Sequence, residues 1–391
     1  MNPGETMDGS DTNGNGYVDD IYGWNFVDSN NIVNDVLGHG TMVASIACAK
    51  TNNNIGTFGV AGGWADRGSK IMTLKVGNEA VTSDVAVPAL VYAMRNGARI
   101  INLSWGAQYI EIESFNDELD NAYENFNCLI FASAGNEDTA QIAWPARHHK
   151  VISIGATKLN CELDNFNPAT GLAVIEDRAR WRIFPVGNPE YFVQRGSNYA
   201  NELDLVTPMY HYFCAPNSYE DYIHNFVGTS GASAFASGVA ALILSANPCL
   251  LNYEVVEILK STADKIDTEN GNYDINGHSI YYGYGRINAY QAVLAALDKL
   301  GEPAETITTN TTFDTRRRYS GNITIEDGAT LTITSILYMD ADKKVIVKPG
   351  GKLIIDGGTI TTACLEPWQG IEVQGNPHQA QLPAYQGIVQ V

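Results

Sequence analysis

A histidine between two glycines, a serine inside a glycine-rich block and an asparagine closing an apolar run carry most of the chemistry in this chain. Gly38-His39-Gly40-Thr41 stands far upstream of Gly228-Thr229-Ser230-Gly231-Ala232-Ser233, with Ala134-Gly135-Asn136-Glu137 between them. A hydroxyl becomes a nucleophile when a base takes its proton. The anion formed by its attack needs a preorganised donor. Ser230, His39 and Asn136 supply one of each. Taken singly, each has a plainer reading: an exposed or structural histidine, an N-cap serine, a turn asparagine after a strand. Their joint presence, in this order, favours catalysis.

Those residues need elements to hold them, and the sequence supplies a regular alternation. Ile71–Val76 reads as a buried strand, followed by a helix running to Asn96 and stopped by Gly97. Ile100–Ser104 is a strand, 113–126 a helix, Leu129–Ser133 a strand and Val151–Gly155 another. Strands alternating with helices predict an α/β fold, a parallel sheet covered on both faces. Active residues in such folds gather at the carboxyl ends of strands and the helix starts that follow. His39 opens one helical stretch. Ser230 opens another, Gly231–Ala246, which is small and apolar enough to be a central buried helix. Residues 160 to about 196 break the rhythm and read as an insertion; 252–263 and 287–299 read as further helices.

At 391 residues the chain is long for one domain. Its 45% hydrophobic and 17% charged residues are those of a globular protein with a sizeable core. A formal charge of −20 argues against a nucleic-acid partner. The six cysteines have no metal-type spacing and read as buried small residues rather than a disulfide framework. No stretch reads as a membrane span, and the N-terminus is no signal peptide.

The three blocks, with their flanks, resemble the catalytic segments of the subtilase family of serine endopeptidases. Gly228–Ser233 followed by Gly238-Val-Ala-Ala-Leu is close to that family's serine signature, with Gly231 and Ala234 where Met and Pro are usual. The resemblance covers about residues 1–297, including the closing segment Gly283–Ala289. It implies a subtilisin-like fold, an extracellular or cell-surface peptidase, and a polypeptide substrate. Ser230 would be the nucleophile, His39 the base and Asn136 the oxyanion donor. Ser104, Trp105 and Gly106 would form the edge along which substrate adds as a strand, with Ser133, Ala134 and Gly135 as the facing wall of the primary pocket. A chymotrypsin-like protease would be all-β, and an α/β-hydrolase needs Gly-x-Ser-x-Gly with histidine last; both fit poorly.

The family's aspartate, in an apolar strand ending Asp-Thr-Gly or Asp-Ser-Gly, has no counterpart. Asp8-Gly9-Ser10 follows no such strand, and Asp35 belongs to the histidine block as a structural residue. The expectation is that the first catalytic strand lies before Met1 and that the chain hydrolyses peptides poorly; in subtilisin, loss of the aspartate alone costs about 3 × 10⁴ in kcat.

Asp11, Asn13, Asn15 and Asp19, with the Tyr17 carbonyl and Gly16 at the bend, resemble an EF-hand-type loop that could hold a structural Ca²⁺; Tyr22 stands at the twelfth position in place of a carboxylate. A plain Asx-rich turn is the alternative. The aromatic stretch Tyr22–Phe26 is expected to pack near the histidine block. No cofactor is expected for catalysis.

The peptidase domain is expected over 1–300, a linker over 301–318, and the start of a β-solenoid or β-helix-like region over 319–391. There Ile325–Ile333 is echoed by Val347–Ile355 with Gly328 and Gly350 in equivalent places. The competing reading is a non-catalytic binding or adhesion protein with a degenerate protease domain.

Overall fold

Apolar runs of four to six residues are the shape of strands buried on both faces, and three of them build the centre of this protein. In the computed structural model, β3 (Ile100–Leu103), β4 (Leu129–Ser133) and β5 (Ile152–Thr157) lie side by side and parallel, with Ile100 opposite Leu129 and Phe131 opposite Ile152. Every residue of β4 and β5 is buried. The structure describes residue 2 and residues 4–391 apart from 65–66, 79, 158–165, 168–171, 174–179, 184–192, 210, 215–221 and 365; within it, side chains of 166–167, 172–173, 180–183, 193–194, 211–214 and 222–225 are outside the description. The expected insertion at 160–196, and with it Cys161, falls largely outside the described residues.

The chain divides into two units, Met1–Leu242 with Val256–Val293, and Ile243–Val255 with Leu294–Val391. In the first, β1 (Gly23–Asn25) pairs in parallel with β2 (Thr73–Lys75). Helix α1 (His39–Cys48) lies between them in sequence. Helices α2 (Ser83–Arg95) and α3 (Glu113–Glu124) flank β3 in sequence and pack on one another. Leu90, Ala93 and Met94 of α2 and Phe115, Leu119 and Ala122 of α3 join Ile130, Ala132 and Trp144 in one core. The short strands β6 (Phe166–Asn167) and β7 (Leu172–Ala173) form one antiparallel pair, β8 (Arg180–Ile183) and β9 (Val193–Gly196) another. Strand β10 (Leu205–Pro208) completes the sheet in the order β10-β5-β4-β3. A hairpin of β11 (His211–Cys214) and β12 (Tyr222–Phe226) then leads into α4 (Thr229–Ala246). Helices α5 (Asn252–Ser261) and α6 (Ala289–Asp298) follow.

Two expectations change here. β2 is only half-buried, because it pairs with β1 and not with the four-stranded sheet. An apolar run cannot say which neighbour covers it. Helix α4 is, by length and composition, able to cross a membrane, but most of it is buried inside the protein. It is a core helix.

The second unit is all-β beyond α6. Strands β13 (Glu305–Ile307), β16 (Ile323–Ile325), β19 (Val345–Val347) and β22 (Ile371–Val373) form one parallel sheet. Strands β14 (Thr311–Phe313), β17 (Thr330–Ile333), β20 (Lys352–Ile355) and β23 (Ile388–Gln390) form a second. A third holds β15 (Arg317–Tyr319), β18 (Ile336–Met339) and β21 (Thr359–Thr362). Pairing stacks like on like: Ile307 on Ile325 on Val347, Phe313 on Ile333, Leu331 on Leu353. Gly328 and Gly350, at φ +77° and +81°, turn corresponding corners, and the Gly328 N–H donates to the Gly350 carbonyl at 3.1 Å. The stretch 301–318, expected as a linker, already carries β13, β14 and most of β15. Cys249 and Cys364 are joined by a disulfide, which corrects the reading of all six cysteines as buried thiols. Cys48 and Cys128 are free thiols; Cys128 is buried as that reading has it, Cys48 only half-buried, and burial pushes their pKa values up to about 12 and about 11.

Candidate active site

Helix α4 begins at a glycine that only a glycine can be. Gly228 has φ +124°, a region other residues rarely adopt, and it delivers Thr229 and Ser230 into the first turn. The backbone N–H groups of a first turn have no partner within the helix and carry positive potential. Two neighbours fix the turn. Asn136 Oδ1 accepts from the Thr229 N–H and the Thr229 hydroxyl, both at 2.9 Å. A backbone N–H can only donate, so this pair settles which end of the Asn136 amide is oxygen. Its Nδ2 stays available as a donor beside Gly228. The Thr229 hydroxyl in turn accepts from the Gly135 N–H at 3.3 Å.

The second neighbour is the end of β3. Ser104 Oγ donates to the Ser230 carbonyl at 2.8 Å, and Ser230 Oγ donates to the Ser104 carbonyl at 3.2 Å. Behind Ser104, Asn102 Nδ2 donates to Ser104 Oγ at 2.9 Å, and Asn102 Oδ1 accepts from Ser233 at 2.6 Å and Ser237 at 3.2 Å. Thr207 of β10 donates to the Ala232 carbonyl at 2.9 Å. The start of α4 is thus held by hydrogen bonds from β3, β10 and the β4 end. Sequence reasoning missed Asn102 and Thr207; the one available signal was an asparagine inside the apolar strand Ile100–Leu103.

The proposed substrate walls are adjacent strand ends. Ser133 and Ala134 are buried, and Gly135 (φ +102°) leaves no room for a Cβ, which would lie 2.2 Å from Asn198 Nδ2. Buried Asn198 braces this turn, donating to the Ala134 carbonyl at 3.2 Å and to Glu137 at 2.7 Å. Across from it, Ala107 and Trp144 exchange backbone hydrogen bonds, and a Cβ on Gly106 would sit 2.6 Å from the Trp144 carbonyl. The Trp105 ring packs edge-on against Phe115 and Trp144, so it serves the core.

His39 is the first residue of α1, and its ring lies edge-on against Phe226, centroids 5.6 Å apart. Phe226 ends β12, just ahead of Ser230, so the two sequence blocks do approach one another. Among the described residues no hydrogen bond joins the imidazole to Ser230 or to any carboxylate. Crowding by protein lowers the His39 pKa, and the Asp35 charge partly opposes this. Asp35 itself is spoken for: it accepts from the N–H groups of Leu37, Gly38 and Thr41 and from the Thr41 hydroxyl, at 2.7–3.1 Å. It caps α1 rather than orienting the ring. Asp8 accepts from Ser10 in a local exposed turn.

The acidic loop is laced by its own amides. Asp11 accepts from the N–H groups of Gly14, Asn15 and Gly16, Asn13 Oδ1 from Asn15, Asn15 Oδ1 from Tyr17, and Asp19 Oδ1 from Asp8 and Gly9. The donor set is all oxygen, the class that hard cations take, and each amide oxygen keeps a second lone pair. Two acids outside the expected ligand set hold the loop from behind. Glu5 accepts from the N–H groups of Thr12, Asn13 and Asp19. Fully buried Asp20 accepts from Asn2, Asn15 and the Tyr92 hydroxyl. The aromatic stretch packs elsewhere than expected: Trp24 and Phe26 meet the Tyr17 ring, at 5.0 and 5.8 Å, and Tyr17 meets Tyr92 of α2 at 4.8 Å, while Tyr22 is exposed. The half-buried Tyr17 ring ties the loop to α2, whereas α1 offers no aromatic side chain beyond His39.

Comparison with known proteins agrees with this architecture. A crystal structure of a lanthipeptide protease superposes with TM-score 0.51 over 70% of this chain and 80% of its own, at 19% identity, which speaks for the fold alone. The calcium-dependent protease of a Nostoc species is 31% identical over 290 residues, 69% of this chain and 42% of that protein. The thermophilic serine proteinase of a Bacillus species is 31% identical over 276 residues, 70% of this chain and 56% of its own length. Thermitase of Thermoactinomyces vulgaris is 27% identical over 275 residues, covering 70% and 81%. The chain therefore spans about half the length of the first two. The subtilase family model matches residues 4–285. With that match extending over most of the chain, and over the sheet and helices just described, the chain belongs to the subtilase family.

Proposed function

We propose that the chain is a secreted serine endopeptidase in which Ser230 is the nucleophile, His39 the general base and Asn136 the oxyanion donor. The observation that carries this is the pinned start of α4: Asn136 Oδ1 accepts from the Thr229 N–H and hydroxyl next to Ser230, which leaves the Asn136 Nδ2 as a donor beside Gly228. Ser230 Oγ attacks the scissile carbonyl carbon, and its proton passes to His39. Asn136 Nδ2 and the free N–H groups of the α4 first turn meet the oxyanion. The protonated His39 then gives its proton to the leaving amine, and water hydrolyses the acyl-enzyme by the same path. Ser104–Gly106 and Ser133–Gly135 receive the peptide on either side.

Two further parts belong to this reading. Asp11, Asn13, Asn15, Asp19 and the Tyr17 carbonyl hold Ca²⁺, whose role is to stiffen the loop; a relative is named a calcium-dependent protease. The second unit is a β-solenoid, supported by its three stacked parallel sheets. Secretion is supported by the Cys249–Cys364 disulfide, a bond that persists in oxidising compartments, and by relatives named as extracellular or cell wall-associated.

No carboxylate holds the His39 ring among the described residues, so this chain as it stands turns over slowly. That same observation favours the second reading, a binding protein with a disused protease domain. A fluorophosphonate probe separates the two. Covalent labelling that disappears in Ser230→Ala supports the peptidase; a wild-type protein that takes up no label, or labelling that survives Ser230→Ala, overturns it.

A further inference from the structure

Away from the cleft, the turn between Trp144 and β5 presents two adjacent histidines to the last turns of α3. His148 Nε2 lies 3.7 Å and His149 Nε2 3.4 Å from the same atom, Asp120 Oδ1. Their ring centroids are 4.5 Å apart, and the three ligating atoms all fall within 4.8 Å of one another. Yet Asp120 Oδ1 is a buried oxygen without a hydrogen-bond partner. An orphaned buried acceptor is costly, and two imidazoles at its side fail to relieve it. A hydrogen bond needs closer, better-aligned atoms.

The spacing that is wrong for a hydrogen bond is right for a shared ion. Zinc sits about 2.0–2.1 Å from nitrogen or carboxylate oxygen, so two ligands at the tetrahedral angle stand roughly 3.4 Å apart. The His149 separation of 3.4 Å matches that edge, and the His148 separation of 3.7 Å exceeds it slightly. Two imidazoles and a carboxylate are ligands of the borderline first-row divalent ions. The surroundings favour a cation. Helix α3 carries Glu113, Asp117, Glu118, Asp120 and Glu124 with no Lys or Arg, and Asp120 lies near its negative C-terminal end. The two cations of the turn are already neutralised, Arg147 by Glu111 at 3.1 Å and Lys150 by Glu124. His149 and Asp120 are 67% and 46% exposed, so an ion can enter and a water can take the fourth place.

We propose that His148, His149 and Asp120 form a Zn²⁺ site that clips α3 to the turn preceding β5. One contact must yield. The Lys150 N–H donates weakly to His148 Nδ1 at 3.3 Å, and that nitrogen carries the proton once Nε2 ligates. The segment just before this turn supplies the Ala143 N–H to the Ala134 carbonyl and the Trp144 ladder to Ala107.

The test is calorimetric titration of the metal-stripped 391-residue chain with Zn²⁺ alone, in wild type, His149→Ala and Asp120→Asn. Both altered side chains reach solvent, and thermal unfolding in EDTA checks that the variants fold. Since a supporting outer-shell partner alone is worth about 10–100-fold in metal affinity, each variant should lose at least about tenfold. In wild type, Zn²⁺ should also raise the melting temperature, and Co²⁺ should give the visible absorption of a four-coordinate ion at the same stoichiometry. No Zn²⁺ binding in wild type, or a loss confined to one variant or to neither, overturns the site.

Discussion

His39 has to be neutral to accept a proton, and its surroundings bias it that way. Burial lowers its pKa from the ordinary value, and the Asp35 charge offsets only part of that. The base form therefore persists to lower pH than in free imidazole, and the acidic limb of Ser230 labelling by a fluorophosphonate should have its midpoint below about 6.5. The sign for stability is the same. As pH falls through the ordinary value the unfolded chain takes up the proton first, so His39's contribution is whole above that value and is lost as pH drops to the folded one. A labelling midpoint at or above that of free imidazole contradicts the assignment. A second prediction concerns Asn102. Replacing it by alanine leaves the Ser233 hydroxyl without its acceptor and Ser104 without its donor, while Ser237 keeps the Ser233 carbonyl. Each buried polar group left unsatisfied costs about 1–3 kcal/mol, so Asn102→Ala should lower the urea midpoint clearly and slow labelling of Ser230; an unchanged midpoint would mean the network is idle. His39, Asn136 and Ser230 stood out in the sequence because glycines and helix starts mark them. Asn102 and Thr207 did not, because a lone polar residue in a strand looks alike whether it faces solvent or holds a distant helix.

Helices and strands were read with most success where a run repeats its own period. The ends of α2 and α3 and the strands β3, β4 and β5 lie within a few residues of expectation, since apolar runs and a stopping glycine are local signals. Neighbour relations are not local, which is why the half-burial of β2 escaped notice. The strands of 305–319 escaped for a related reason. Each is three residues long and sends few side chains inward, Ile307 and Phe313 among them, so a Thr- and Glu-rich stretch looked like a linker. Close approach is another relation that sequence shows only as a glycine. A Cβ on Gly238 of α4 would lie 2.7 Å from Val60 Cβ and 3.1 Å from the Ala47 carbonyl. Gly238→Val should therefore overpack this contact by about 1–3 kcal/mol, more than the gain of under about 1 kcal/mol from removing a helical glycine. Urea unfolding measures the balance, and a variant as stable as wild type would show that the helix can shift at no cost.

At the scale of the whole chain, the second unit raises the question of what holds short parallel strands together. Its inward rows of Ile, Leu and Val are one answer. Polar groups give another: Arg318, 2% exposed, is held by Glu254 at 2.9 and 3.0 Å and by Asp340 at 3.1 and 3.2 Å. Removing one partner of such a buried set typically costs about 3–5 kcal/mol because the others are left uncompensated. The Cys249–Cys364 bond lies in the same unit and ties residues 115 apart in sequence. A cross-link over so long a span restricts the unfolded chain strongly, with a typical stabilisation of about 2–4 kcal/mol. Cys364→Ser should therefore unfold at lower urea than wild type in non-reducing buffer. The control is reducing agent. Dithiothreitol should bring wild type down to the level of the variant and leave the variant where it was. If the reductant lowers both equally, the stabilising bond joins other cysteines; if wild type and variant coincide without it, the bond contributes nothing to the unit, and the stacked rows with Arg318 hold it alone.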